Sequence, residues 1–166
     1  TRTDSAVTNS RNLWPTPLKA AAPLARILPP FTTYVEPCAA AGQLIGHLGR
    51  FGHVCVDAFD IDPCGPGIRK QDAVDDTGVG LVITNPPYAW HMLQPMLDHW
   101  VGRRECWLLL PWDMTCNVRM SPYAVHIDRI LPLGRVSWMG NGKAGMDNSG
   151  WFHFRIEPQN MVLPRA

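Results

Sequence analysis

The tetrapeptide Asn85-Pro86-Pro87-Tyr88 stands directly after the apolar run Leu81-Val82-Ile83, and its residue types define a particular surface. Two consecutive prolines restrict the backbone and contribute no N–H donor. The carbonyls of Asn85 and Pro86, with the side-chain oxygen of Asn85, therefore form a rigid edge of acceptors. Such an edge receives an N–H-bearing group. Hydrogen bonds from an exocyclic amine to it would turn the nitrogen lone pair toward an electrophile. They would also stabilise the positive charge that grows on nitrogen during attack, without a strong general base. Tyr88 adds a flat apolar face on which a base drawn out of a duplex can stack. A proline-rich turn after a strand is the plain structural alternative.

Other polar residues sit at the ends of apolar runs: Glu36 after Thr33-Tyr34-Val35, Asp60 after Val54 to Phe59, and Asp72 further on. In open α/β sheets ligands bind beyond the carboxyl ends of the strands, so these residues form a set with Asn85. From Glu36-Pro37-Cys38 the chain passes through Ala39-Ala40-Ala41 to Gly42. Small residues there let a ligand approach the backbone and the start of the next helix; a tight βα turn reads equally well. Asp60, ending a strand, can accept both hydroxyl hydrogens of a ribose, although Asp60-Ile61-Asp62-Pro63 also reads as a solvated turn.

The elements that must position these residues alternate. Four strands are expected, ending at Glu36, Asp60, Thr84-Asn85 and Pro111, with helices over Gly42 to Phe51 and about His91 to Val101. Ahead of them Thr16 is expected to cap a helix with Pro17 in its first turn. Leu18, Ala21, Ala22, Ala25 and Leu28 lie on one face of that helix, and Pro23 would kink it. Strands separated by helices imply right-handed crossovers and a mainly parallel sheet, fold class α/β. Two strand-like runs, Arg135 to Met139 and Trp151 to Ile156, read as an antiparallel C-terminal hairpin around the loop Gly140 to Gly150.

At 166 residues and 46% apolar composition, one domain over residues 13–166 is expected, preceded by a polar, mobile arm over residues 1–12. The formal net charge of +1 supplies no global field toward nucleic acid or anionic lipid. The five cysteines show no zinc-ligand spacing with the scattered histidines, so no metal is expected and the thiols read as reduced, in a cytoplasmic protein. No run is long and apolar enough for a membrane span.

The order Glu36-Pro37 to Gly42, then Asp60-Ile61-Asp62-Pro63, then Asp72, then Asn85-Pro86-Pro87-Tyr88 resembles the class I S-adenosylmethionine-dependent methyltransferases, in particular those acting on the N6 amino group of adenine in DNA. The likeness extends from Trp14 to Trp151, and the tail resembles short phage-borne members, which would place the protein in a bacterial or phage-infected cytoplasm. The resemblance implies a Rossmann-like sheet of seven strands and S-adenosylmethionine as cofactor. It implies that Glu36, Pro37, Cys38, Ala39, Ala40 and Gly42 form the cofactor loop, that Asp60 meets the ribose, that Asp72 meets the cofactor's adenine, and that Ile61 and Asn85 also touch the cofactor. Thr16 and Pro17 would touch the methionine part, and Asn85, Pro86, Pro87 and Tyr88 would form the catalytic centre. Ala40 stands where the family has glycine.

No separate target-recognition domain is expected. Recognition of DNA is then either relaxed in sequence or shared with a second copy in a homodimer, with Arg119, Arg135 and Lys143 as candidate nucleic-acid contacts and Arg103 and Arg104 as further cations. The same acceptor edge would serve an adenine in ribosomal RNA or a glutamine side-chain amide in a protein. A non-catalytic relative of the fold is the reading from another class.

Overall fold

The computed structural model describes residues 15–138, 145 and 147–159; the expected arm over residues 1–12, Trp14 and Lys143 lie outside the described residues. The chain runs α1 (Leu18–Ile27), β1 (Thr33–Glu36), α2 (Gln43–Gly49), β2 (Val54–Asp60), β3 (Arg69–Lys70), β4 (Val82–Thr84), α3 (Trp90–Trp100), β5 (Cys106–Pro111), α4 (Ser121–Ala124), β6 (Ile127–Arg135) and β7 (Asn148–Phe154). Short 3-10 turns occupy Ala73–Asp75, Trp112–Cys116 and Val118–Met120.

The strands form one seven-stranded sheet in the order β3-β2-β1-β4-β5-β7-β6. Neighbours from β3 through β5 are parallel, and β7 runs antiparallel to both β5 and β6. This is the doubly wound 3-2-1-4-5-6 order with one reversed strand inserted. It is the α/β, Rossmann-like arrangement with an antiparallel C-terminal pair expected from the sequence.

Strand periodicity divides the core. On β5, Cys106, Leu108 and Leu110 pack with Leu93, Leu97 and Trp100 of α3, while Trp107 and Leu109 face Ala21 and Leu24 of α1 and Leu44 and Leu48 of α2. Because both faces are covered, β5 reads as a continuous apolar run instead of an alternating one. Among the described residues, the connections from β2 to β3 and from β3 to β4 contain no α-helix. Val54 and Val56 on β2 consequently stand 51% and 62% exposed.

Several expectations change. Pro17, not Thr16, is the N-cap of α1, with extended backbone and no side-chain cap; Thr16 is buried. Leu18 is 40% exposed, and the buried face is carried by Ala20, Ala21, Ala22, Leu24 and Ala25. Both α1 and α3 continue past an internal proline, Pro23 and Pro95. The hairpin partner expected over Arg135 to Met139 is instead Ile127–Arg135. An edge strand tolerates the missing donor of Pro132, and the register shifts between Pro132 and Gly134, where Gly134 takes φ 70°. β7 takes up Asn148 to Gly150, which the sequence reading gave to the loop. No helix of the described residues is long and apolar enough to cross a membrane.

Candidate active site

Strand β1 pairs with β2 on one side and β4 on the other. The chain winds outward from β1 to β3 and then returns to β4, so the crevice of an open α/β sheet lies beyond the carboxyl ends of β1 and β4. Glu36 ends β1, and Asn85 follows β4 by one residue. Two adjoining cavities open there, of ≈ 530 Å³ and ≈ 270 Å³, and both are lined by Cys38, Ala40 and Asn85.

The smaller cavity is walled by Thr16, Glu36, Ala39, Gln43 and Cys64, among others. Glu36 is 2% exposed. Its Oε2 has no hydrogen-bond partner among the described residues. Burial first, and the nearby Asp60 charge second, hold its carboxyl well above the usual carboxylate range. A buried carboxyl without a partner is costly unless a donor or cation arrives.

The turn that follows is latched from two sides. The Ala40 N–H donates to Asp60 Oδ2 at 2.9 Å, and the Cys64 N–H donates to the Ala40 carbonyl at 3.0 Å. Gly65 comes so close that a Cβ there would meet the Ala41 carbonyl oxygen at 2.7 Å. Ala40 itself takes φ 47°, the left-handed region that L-residues enter at a cost and glycine enters freely. Gly42 follows with φ 77° as the N-cap of α2.

The larger cavity is lined by Asp60, Ile61, Asp72, Ala73 and Val74 on one side and by Asn85 to Ala89 on the other. His91, Met92, Pro95 and Met96 of α3 close it. Asp60 also accepts the Asp62 N–H at 2.8 Å on Oδ1; with roughly four lone-pair sites, an ionised carboxylate can still receive hydroxyl donors. Asp72 caps the 3-10 turn by accepting the Val74 N–H at 3.1 Å. Cys38 donates its S–H to Met96 Sδ at 3.9 Å, and burial pushes its thiol well above the ordinary range.

At the mouth, the Tyr88 hydroxyl donates to Asn85 Oδ1 at 2.9 Å. Burial raises the Tyr88 phenol above its ordinary value, so it stays a donor. Its ring meets Trp138 edge-on, with centroids 6.4 Å apart at 71°.

Most of the residues expected from sequence come together: Thr16, Glu36, Pro37, Cys38, Ala39, Ala40, Asp60, Ile61, Asp72 and Asn85 to Tyr88 all line one of the two cavities. Pro17 and Gly42 line neither and serve instead as helix N-caps. Arg119 is exposed at this edge, its Cζ 5.7 Å above the Trp90 ring, and Arg135 is exposed at the end of β6. Arg103 lies in the turn before β5, at the opposite edge. Arg104 is a correction: it is 8% exposed, paired with Asp76, and donates to the carbonyls of Gly80 and Val79. Sequence reasoning missed the α3 side of the cavity. Met92 and Met96 were legible only as part of an apolar helical stripe, and His91 carried no signal of its own. Among the described residues, no group of three or more His, Cys, Asp or Glu side chains could hold a metal ion.

Comparison with solved structures places this architecture. The chain superposes on a protein from Listeria monocytogenes assigned as a class I S-adenosylmethionine-dependent methyltransferase, with TM-score 0.59 and 10% identity over 93% of this chain and 64% of that one. It also superposes on a Vibrio vulnificus chain assigned as the modification subunit of a type I restriction enzyme (TM-score 0.59, 11% identity, 92% of this chain, 46% of that one). A Pyrococcus horikoshii protein assigned as an RNA methyltransferase gives TM-score 0.57 and 12% identity over 75% of this chain and 74% of that one. The fold is therefore that of the class I methyltransferases, and this chain spans less than two thirds of the Listeria and Vibrio proteins. No protein-family model matches the sequence, and no curated protein matches it.

Proposed function

We propose that the protein transfers a methyl group from S-adenosylmethionine to the exocyclic amino nitrogen of an adenine in DNA. The observation that carries this reading is the position of Asn85. It lines both cavities, so one side chain stands between a carboxylate-lined chamber and the aromatic mouth formed by Tyr88.

The residues present fit the cofactor. The unpartnered Oε2 of Glu36 suits the ammonium of an amino acid, Asp60 suits ribose hydroxyls, and Asp72 with Ala73 and Val74 suits an adenine edge. When bound, the cofactor supplies an electrophilic methyl on a sulfonium. The rest falls to the chain. Asn85 Oδ1 and the carbonyls of Asn85 and Pro86 receive the amine hydrogens, which aims the nitrogen lone pair inward and stabilises charge as it develops. Tyr88 offers a face to the base, and Trp138 limits the space beside it. That aromatic corner favours a flat heterocycle over the alternative substrate, a glutamine amide. Ribosomal RNA adenine remains the alternative that shares every contact.

Assaying transfer of labelled methyl groups to DNA, RNA and protein in parallel tests the reading. Asn85→Ala is expected to lower turnover by about a hundredfold or more while leaving cofactor affinity nearly intact, since its oxygen acts on transition-state charge. Full activity in that variant would remove Asn85 from the mechanism.

A further inference from the structure

The rim of the proposed active site is aromatic well beyond Tyr88. Trp112 is the first residue past the carboxyl end of β5 and is 39% exposed. Its ring lies over Gly150 of β7, where a Cβ would stand 3.6 Å from Trp112 Cε3, and it tilts at 54° against Phe152 with centroids 6.4 Å apart. The ring thus packs against the sheet and still keeps part of its surface in solvent. Trp90, two residues past Tyr88, opens α3 and carries the Arg119 guanidinium above its ring. The segment between, Trp112 to Met120, folds as two 3-10 turns and presents Val118 at 81% exposure. Three strand ends, those of β4, β5 and β6, therefore bring aromatic rings to the same edge: Tyr88 with Trp90, Trp112, and Trp138.

Among the described residues, cations are sparse at that edge. Arg119 and Arg135 are exposed there, but Arg104 is paired with Asp76, Arg69 with Asp57, and Arg129 and Arg155 with Asp128. Asp113, exposed beside Trp112, adds a negative charge. A duplex is gripped mainly through phosphates by several Lys and Arg side chains, each releasing counterions. The described residues of this surface offer few. An unpaired strand is gripped differently, by stacking bases on rings with a cation or two along the backbone.

We propose that Trp112, with Trp90 and its stacked Arg119, is a docking platform for the unpaired nucleotides flanking the target base, so that the partner is single-stranded nucleic acid or a locally opened duplex. The proposal rests on the reading that the methylated group belongs to a nucleic-acid base, and it adds which form of nucleic acid is recognised and by which residues. Stacking on Trp112 holds the neighbours of the target while Asn85 and Tyr88 hold the target itself.

Fluorescence anisotropy with labelled twelve-nucleotide strands, deoxy and ribo, and with the matching duplexes, tests this alongside methyl transfer on each. Single strands are expected to bind at least tenfold tighter than the duplexes, and whichever sugar binds tighter identifies the source. Trp112→Ala is expected to weaken binding by roughly 5- to 100-fold and Trp112→Phe far less, as loss of one stacked base predicts. Arg119→Glu changes an exposed side chain, keeps the thermal midpoint, and should weaken binding too. The slope of log affinity against log salt should be shallow, about −0.7 for each engaged cation. Equal affinity for duplex and single strand, or unchanged binding in folded Trp112→Ala, would overturn the proposal even where adenine methylation persists. Absence of methyl transfer to any nucleic acid, with transfer to protein instead, would sink the functional reading.

Discussion

Replacing Ala40 by glycine removes a strain that the backbone displays directly. Ala40 holds φ 47° because its N–H is committed to Asp60 Oδ2 at 2.9 Å and its carbonyl to the Cys64 N–H at 3.0 Å. A non-glycine residue pays about 1–2 kcal/mol for left-handed backbone, whereas glycine adds about 0.5–1 kcal/mol of entropy loss on folding. The difference leaves Ala40→Gly more stable by roughly 0.5–1 kcal/mol. For a chain of this size 1 kcal/mol shifts the melting point by about 2–4 °C, so a rise of roughly 1–4 °C is expected. Circular-dichroism melting, with urea unfolding as a check, measures it. Ala40 also lines both cavities, so loss of its methyl should leave cofactor affinity unchanged or improved. A variant that melts lower by several degrees would refute the reasoning, because it would mean that the methyl group stabilises the turn more than its conformation costs.

Asp60→Ala should weaken S-adenosylmethionine binding by about 1.5–3 kcal/mol, the usual loss for hydrogen bonds to a charged group; calorimetry giving an unchanged affinity would exclude the ribose assignment. Glu36 has a folded pKa above its unfolded value, so the stability it contributes is present at low pH and drains away as pH rises from the usual carboxylate range toward the raised folded value. Melting curves of the cofactor-free protein across that range should show the decline, Glu36→Gln should abolish it, and binding of a cationic amino group should release a proton, seen as a buffer-dependent binding heat. Arg104→Met would strand the buried Asp76 charge and should cost about 3–5 kcal/mol in denaturant unfolding; a loss near zero would show that the pair is not an anchor of the segment leading into β4.

Strand ends were the legible part of this sequence. Glu36, Asp60 and Pro111 end β1, β2 and β5 where the apolar runs stop, and β4 ends at Thr84, just before Asn85; for β4 and β5 the reason is that strands buried on both faces leave continuous apolar signatures. Two strands were not legible as such. Arg69–Lys70 is only two residues long and exposed at both positions, without any apolar pattern. Ile127–Arg135 mixes Asp128, Arg129, Pro132 and Gly134 into its alternation, as an edge strand can. Within the site, the loop and the acceptor tetrapeptide were read from residue types alone, since glycine, alanine and proline state their backbone roles locally. The α3 wall was not, because which face of that helix meets the crevice depends on how the helix packs. Arg104 shows the same limit from the other side: a basic residue reads as exposed until an acid far away in sequence buries it.

The insertion of β7 between β5 and β6 has a consequence for the order in which the molecule is assembled during synthesis. β5 emerges from the ribosome with its N–H and C=O groups on one side unmatched, and the strand that satisfies them is the last of the described strands. Everything from Trp112 through β6 must be translated first, on the order of seconds at about 5–20 residues per second. During that interval Leu108, Leu109 and Leu110, each 0% exposed in the finished fold, border an open edge of the kind that recruits foreign strands. A nascent chain stalled before Asn148 should therefore be a chaperone client and prone to aggregate, and completion of β7 is the event that seals it.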